Sequence, residues 1–268
     1  MEKSLRLLAF MLGFLSSYSS LAQHAFLPKL EITKGTTYVV GSGNMLQVDT
    51  LILHDKSSIR FTPGSKGRLD AKVAYVGDAC TITSKGLNGK HGKPGTAGTN
   101  GEDGGSLEIA IHFIKLGSLA IDTRGGDGGN GYKGKNGAKP KTKQTRSTAI
   151  DSKGQVVTVY RPEITSTGSK GEAGTPGGAG GNGGDLTFTY STSNFVLNFN
   201  HNPRTAQKAT GLVEVFYQAG KAGLAGKDGN SYVGMNEPGT AVITGGPVSK
   251  AHVQKQAGQL KLVNANAQ

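Results

Sequence analysis

The chain has 268 residues, 43 of them Gly and only 9 Pro, far above the usual glycine share of about 7%. Collagen from end to end is excluded, because it needs Gly at about one residue in three together with abundant Pro, and a hydrophobic share of 35% argues against a wholly disordered chain. Thirty Lys and Arg against 18 Asp and Glu give a formal charge of +12, which favours anionic partners. At the N-terminus, Lys3 and Arg6 precede the apolar stretch Leu7–Leu15, and small residues lead to Ser20-Leu21-Ala22. This is the layout of a secretory signal peptide over 1–22, with cleavage expected near Ala22. The apolar stretch is much shorter than the roughly 20 residues that span a bilayer. A secreted or cell-surface protein with no membrane span in the mature chain is expected.

From 23 to 85 the chain reads as a β-rich region. Met45–Leu53 and Ser58–Phe61 alternate apolar and polar residues, and the turn residues Asp55-Lys56-Ser57 and Pro63-Gly64-Ser65 separate the strands. Cys80 is the sole cysteine, so no intramolecular disulfide is expected, and its apolar setting suggests a small buried side chain.

Between 86 and 234, strands alternate with a different kind of order. Glycine recurs every third residue at 86–104, 125–137, 168–183 and 220–229, and 22 of the 43 glycines fall in register. The tracts extend over 86–105, 125–139, 168–184 and 220–230. Between them lie strand-like segments: Leu107–Phe113, Ser118–Thr123, Val156–Tyr160, Leu186–Tyr190, Phe195–Phe199 and Val213–Tyr217. A short β segment at Leu260–Val263 sits in the C-terminal stretch 235–268. No window after the signal peptide sustains a helical period. The fold class expected is mostly β with almost no helix. The strands read as rungs of a β-solenoid that sprouts glycine-rich excursions, or as an antiparallel β-sandwich.

Gly86-Leu87-Asn88-Gly89-Lys90-His91-Gly92-Lys93-Pro94-Gly95 and Gly168-Ser169-Lys170-Gly171-Glu172-Ala173-Gly174-Thr175-Pro176-Gly177 resemble the repeats of secreted bacterial collagen-like proteins. That resemblance implies surface display and trimeric triple helices. The tracts are short and contain only Pro94 and Pro176 within their triplets, and strands interrupt them. They also resemble the glycine-rich polyproline-II bundles of certain antifreeze proteins and phage adhesin tips. That resemblance implies four rods from one chain packed side by side, and the doubled glycines Gly125-Gly126, Gly128-Gly129, Gly177-Gly178 and Gly180-Gly181 would supply two close faces per rod. Trimeric collagen, an intrachain bundle and disordered loops are all compatible with the sequence.

Lys133, Lys135, Lys139, Lys141, Lys143 and Arg146 have no acidic residue among them and are the candidate sites for an anionic glycan or surface polymer. Tyr132 is their only aromatic neighbour, so base stacking is not indicated, and a solvated loop kept open by self-repulsion is the plainer reading. Gly129-Asn130-Gly131-Tyr132-Lys133-Gly134-Lys135-Asn136 departs from a P-loop at Asn136, and Gly180–Thr187 is a solitary, imperfect copy of a calcium-binding nonapeptide. The scattered histidines do not form a zinc pattern. His112 reads as an outward strand residue, and Glu102-Asp103 as charge decoration in solvent-facing triplet positions. No cofactor and no catalytic site are indicated. The expected function is non-enzymatic: a structural or adhesive protein open to self-association, with ice or glycan binding by the rod array as the alternative and a polysaccharide-acting β-solenoid enzyme as the third reading.

Overall fold

The computed structural model describes residues 25–200, 211–232 and 255–267. The expected signal peptide over 1–22 lies outside the described residues, as do residues 235–254 of the C-terminal stretch and three of the six histidines, His24, His201 and His252. The described chain is mostly β, and its one helical element is the short 3-10 turn Ala265–Ala267.

The strands in order are β1 (Ala25–Ile32), β2 (Thr37–Val39), β3 (Met45–Leu53), β4 (Ser58–Arg60), β5 (Gly67–Val76), β6 (Cys80–Thr83), β7 (Leu107–Leu116), β8 (Ser118–Asp122), β9 (Lys141–Ile150), β10 (Val156–Ser166), β11 (Leu186–Thr192), β12 (Asn198–Asn200), β13 (Leu212–Phe216) and β14 (Leu260–Asn264). Two six-stranded sheets are built from them, ordered β1-β3-β5-β7-β11-β14 and β12-β13-β8-β6-β4-β2. All pairings in both sheets are parallel. An antiparallel sandwich would reverse direction between neighbours, so this arrangement is a different one. From β1 to β8, consecutive strands alternate between the sheets. Alternating sequences suit this, since one side of each strand points inward: Leu46, Leu69, Ile109 and Phe188 stack in register on the first sheet, and Ile59, Ile82, Ile121 and Val215 on the second. Each of these eight side chains is at most 2% exposed, and all belong to one cluster. Cys80 is buried there as a free thiol, and that burial raises its pKa.

Three long excursions interrupt this core, joining β6 to β7, β8 to β11 and β13 to β14. Each leaves a strand of the second sheet and re-enters a strand of the first. The glycine tracts are therefore gathered at one corner. Buried hydroxyls mark the boundary: Ser84 Oγ donates to the Gly105 carbonyl, and Thr123 Oγ1 to that of Gly184.

Within the excursions, hydrogen bonds run between tracts at three-residue intervals. Gly86, Gly89 and Gly92 donate to the carbonyls of Arg124, Asp127 and Asn130, while Gly98, Gly101 and Gly104 donate to Pro176, Ala179 and Asn182. Gly128, Gly131, Gly134 and Gly137 reach Lys221, Leu224, Lys227 and Asn230, and Gly220, Gly223, Gly226 and Gly229 return to Gly181, Gly178, Thr175 and Glu172. The first tract is not one rod. It folds back on itself at Lys93–Thr96, where Gly95 has φ +72°, a conformation that suits glycine. In the doubled glycine pair 128–129, a Cβ on Gly128 would collide with Gly178 and one on Gly129 with Lys90. Each residue of the pair thus meets a different neighbour.

Candidate anion-binding surface

The basic run is not one loop. Lys133 and Lys135 flank Gly134 in the second tract, and the Lys135 carbonyl accepts the Glu172 N–H at 2.9 Å. Lys139 follows, with its Nζ 6.0 Å from the centroid of the Tyr232 ring, at the outer limit of a cation–π contact. Lys141, Lys143 and Arg146 belong to β9, which pairs antiparallel with β10 as a two-stranded sheet separate from the core. The reading of 132–150 as a solvated loop is corrected here: Thr- and Val-rich β10 supplies a partner strand, and the run from Lys141 pairs with it.

Within the hairpin, residues directly opposite share a face. Lys143 lies opposite Glu163 and Arg161 opposite Thr145, which places Lys141, Lys143 and Arg161 on one side. Arg146 lies opposite Tyr160 on the other side, along with Ile150, Val156 and Ile164. The Glu163 carboxylate accepts from Thr145 Oγ1 at 2.7 Å. All six candidate cations are exposed. Among the described residues none of them forms an ion pair, whereas the β-scaffold pairs Lys29 with Glu31, Lys66 with Glu108, Arg68 with Asp70, Lys72 with Asp49 and Arg124 with Asp122. The structure thus spreads the run over a glycine tract, a connector and two hairpin faces, and leaves its charge available to solution.

A second set of residues carries no signal in a search for charge runs. The side chain immediately before a tract glycine often accepts a backbone N–H of a neighbouring tract. Asn88 accepts from Asp127, Asn100 from Ala179, Asp103 from Asn182, Asp127 from Lys221 and Asn130 from Leu224, at 2.6 to 2.9 Å. His91 Nδ1 does the same for Asn130 at 3.0 Å. The expectation that these positions merely face solvent is therefore corrected, and Asp103 is a structural acceptor. The reason is bookkeeping of N–H groups: a glycine uses its own N–H toward one neighbour, and other N–H groups on a closely packed tract still require acceptors. The pattern Asx-Gly, repeated at 88, 100, 103, 127, 130, 136, 182 and 228, was the available sequence signal.

Tyr132 donates its hydroxyl to Glu172 at 2.7 Å. This bond holds the Glu172 carboxyl below its ordinary pKa and the phenol above its own. His112 is half-buried between Ser191 (2.7 Å) and Ser193 (2.9 Å), with no carboxylate among these partners. Among the described residues no three His, Cys, Asp or Glu side chains group as metal ligands, and no helix is long and apolar enough to cross a membrane. Comparison of the chain with known protein families, curated proteins and solved structures finds no match.

Proposed function

We propose that this is an exported, non-enzymatic structural or adhesive protein of the cell surface or surrounding matrix. In this reading, a β-solenoid formed by the alternating parallel strands anchors a bundle of polyproline-II rods made by a single chain. What supports it most is the three-residue ladder of glycine hydrogen bonds between tracts of the same chain. A collagen triple helix satisfies those groups with two other chains; here each glycine tract already has intrachain partners. The bundle is a rigid array, and the hairpin at its outer reach carries unpaired positive charge.

Solution mass and circular dichroism test the architecture together. A monomer of about the 27.7 kDa chain mass, less any cleaved leader, with a polyproline-II signal that melts cooperatively, is the expected result. A trimer whose signal disappears on dissociation would replace the bundle with collagen. The adhesive role is tested by changing all six of Lys133, Lys135, Lys139, Lys141, Lys143 and Arg146 to Gln. Retention on immobilised anionic polysaccharide should weaken by at least tenfold, and the remaining binding should depend less steeply on salt, because screening acts on exposed charges. Unchanged retention would remove the run from the binding surface.

A further inference from the structure

Where the first glycine rod leaves the second sheet, a groove of about 380 Å³ opens between the outer face of β2, β4 and β6 and the residues that follow β6. Its floor is set by register. Thr37 lies beside Ser58, and Val39, Arg60 and Thr83 form the next row on the same outer face. Lys85 and Leu87 form the opposite wall. The groove has no acidic lining residue. Its two cations, Arg60 and the half-buried Lys85, form no ion pair among the described residues, whereas Arg68 and Arg124 each hold a carboxylate. The carboxylate further along the Arg60 row, Asp122, is already taken. Arg124 Nε donates to its Oδ1 at 2.9 Å and Arg124 Nη2 to its Oδ2 at 2.6 Å.

We infer that this groove is a binding site for an acidic saccharide, distinct from the Lys133–Arg146 surface and independent of the adhesive reading. An arginine fork is suited to a planar carboxylate, and a lysine adds a mobile point charge. The remaining lining is that of a sugar site. Thr37 and Ser58 hydroxyls, 2.7 Å apart, both donate and accept, so they can serve ring hydroxyls. Leu87, in the lining and 50% exposed, gives an apolar patch for the C–H face of a ring. A volume near 380 Å³ falls within the range of small-ligand clefts, which is larger than a bare inorganic anion needs.

The test is calorimetric titration of the full chain with a trisaccharide of galacturonic acid, its methyl ester, and sodium sulfate. The acid should bind, the ester at least tenfold more weakly, and sulfate should fail to compete at equal concentration. Arg60→Gln and Lys85→Gln should each weaken the acid at least fivefold, and Arg60→Lys should recover only part of the loss. The same titrations in the chain carrying Gln at all six positions of the Lys133–Arg146 surface read the groove alone, and Lys115→Gln, at an exposed cation outside both surfaces, should leave the affinity unchanged. Equal binding of acid and ester, or an Arg60→Gln affinity equal to the parent's, would overturn the inference. Sulfate competing as well as the trisaccharide would reduce the groove to a general anion site and overturn its assignment to a saccharide.

Discussion

The β-scaffold and the glycine bundle solve the same problem with opposite materials. In the scaffold, side chains carry the stability: Phe61, Phe113, Phe188 and a stack of Leu and Ile residues are withdrawn from water, and burying each large side chain contributes about 1.5–3 kcal/mol. In the bundle, the inward position is glycine and backbone packs on backbone. There the stabilising units are hydrogen bonds, each worth a net of about 1 kcal/mol, repeated at every third residue. One region tolerates a change of side chain if volume is kept; in the other, even a methyl at an inward glycine such as Gly129 meets backbone.

The largest separation between the two regions should come from Phe188→Ala. Phe188 is fully buried and meets Phe113 and Phe199 edge-on, with ring centroids 6.3 Å away in each case. Its truncation should cost about 3–5 kcal/mol, read from urea unfolding, while Phe188→Leu should recover much of that. The reverse experiment adds one methyl. At Gly129 the Cβ would collide with the Lys90 carbonyl, so Gly129→Ala should cost about 1–3 kcal/mol as an overpacking change, whereas Ala is ordinarily the better-tolerated residue outside left-handed positions. A neutral Gly129→Ala would mean that the tracts are looser than described.

A smaller effect isolates the side-chain acceptors between tracts. Asp103 accepts from the Asn182 N–H at 2.6 Å. Asp103→Ala should cost about 1 kcal/mol, and Asp103→Asn should cost less because the amide oxygen keeps the acceptor. If both substitutions are silent, the ladder of Asx residues does not hold the tracts in register. The smallest effect belongs to the scaffold surface. Lys29, and secondarily His54, hold the Glu31 carboxyl down to about 2 from an ordinary 4.5. A lowered carboxyl stabilises the folded state above its unfolded pKa and loses that contribution as pH falls through the folded value. The urea midpoints of the parent and Glu31→Gln should therefore differ slightly near pH 6 and converge near pH 2. Because the pair is exposed, the difference should also shrink in salt.

Much of the scaffold was legible because strand periodicity is local. Met45–Leu53 was delimited to the residue, and the inward positions of β7, β8 and β11 follow from simple alternation. β9 was not legible, since Lys141–Ile150 has few apolar residues and becomes a strand by pairing with β10. The basic run was visible as composition, but its division among a glycine tract, a connector and two hairpin faces depends on that pairing. The groove at Arg60 and Lys85 was invisible, because its residues come from three separated strands and the start of a tract. Parallel register alone brings Thr37, Ser58 and Thr83 onto one face.

The sequence by itself determined two periods, two residues for the strands and three for the glycine tracts, and so determined where each kind of order begins. Those periods are steric: a pleated strand alternates its side chains, and a glycine at every third residue leaves one side of an extended chain open to close approach. Tertiary structure alone decided who approaches whom. It folded the first tract at Gly95, set Gly128 against Gly178 and Gly129 against Lys90, and collected all the tracts at one corner of the sheets. Triplet periodicity supplies a face without naming its neighbour; the neighbour is chosen by which strands the excursions must leave and re-enter.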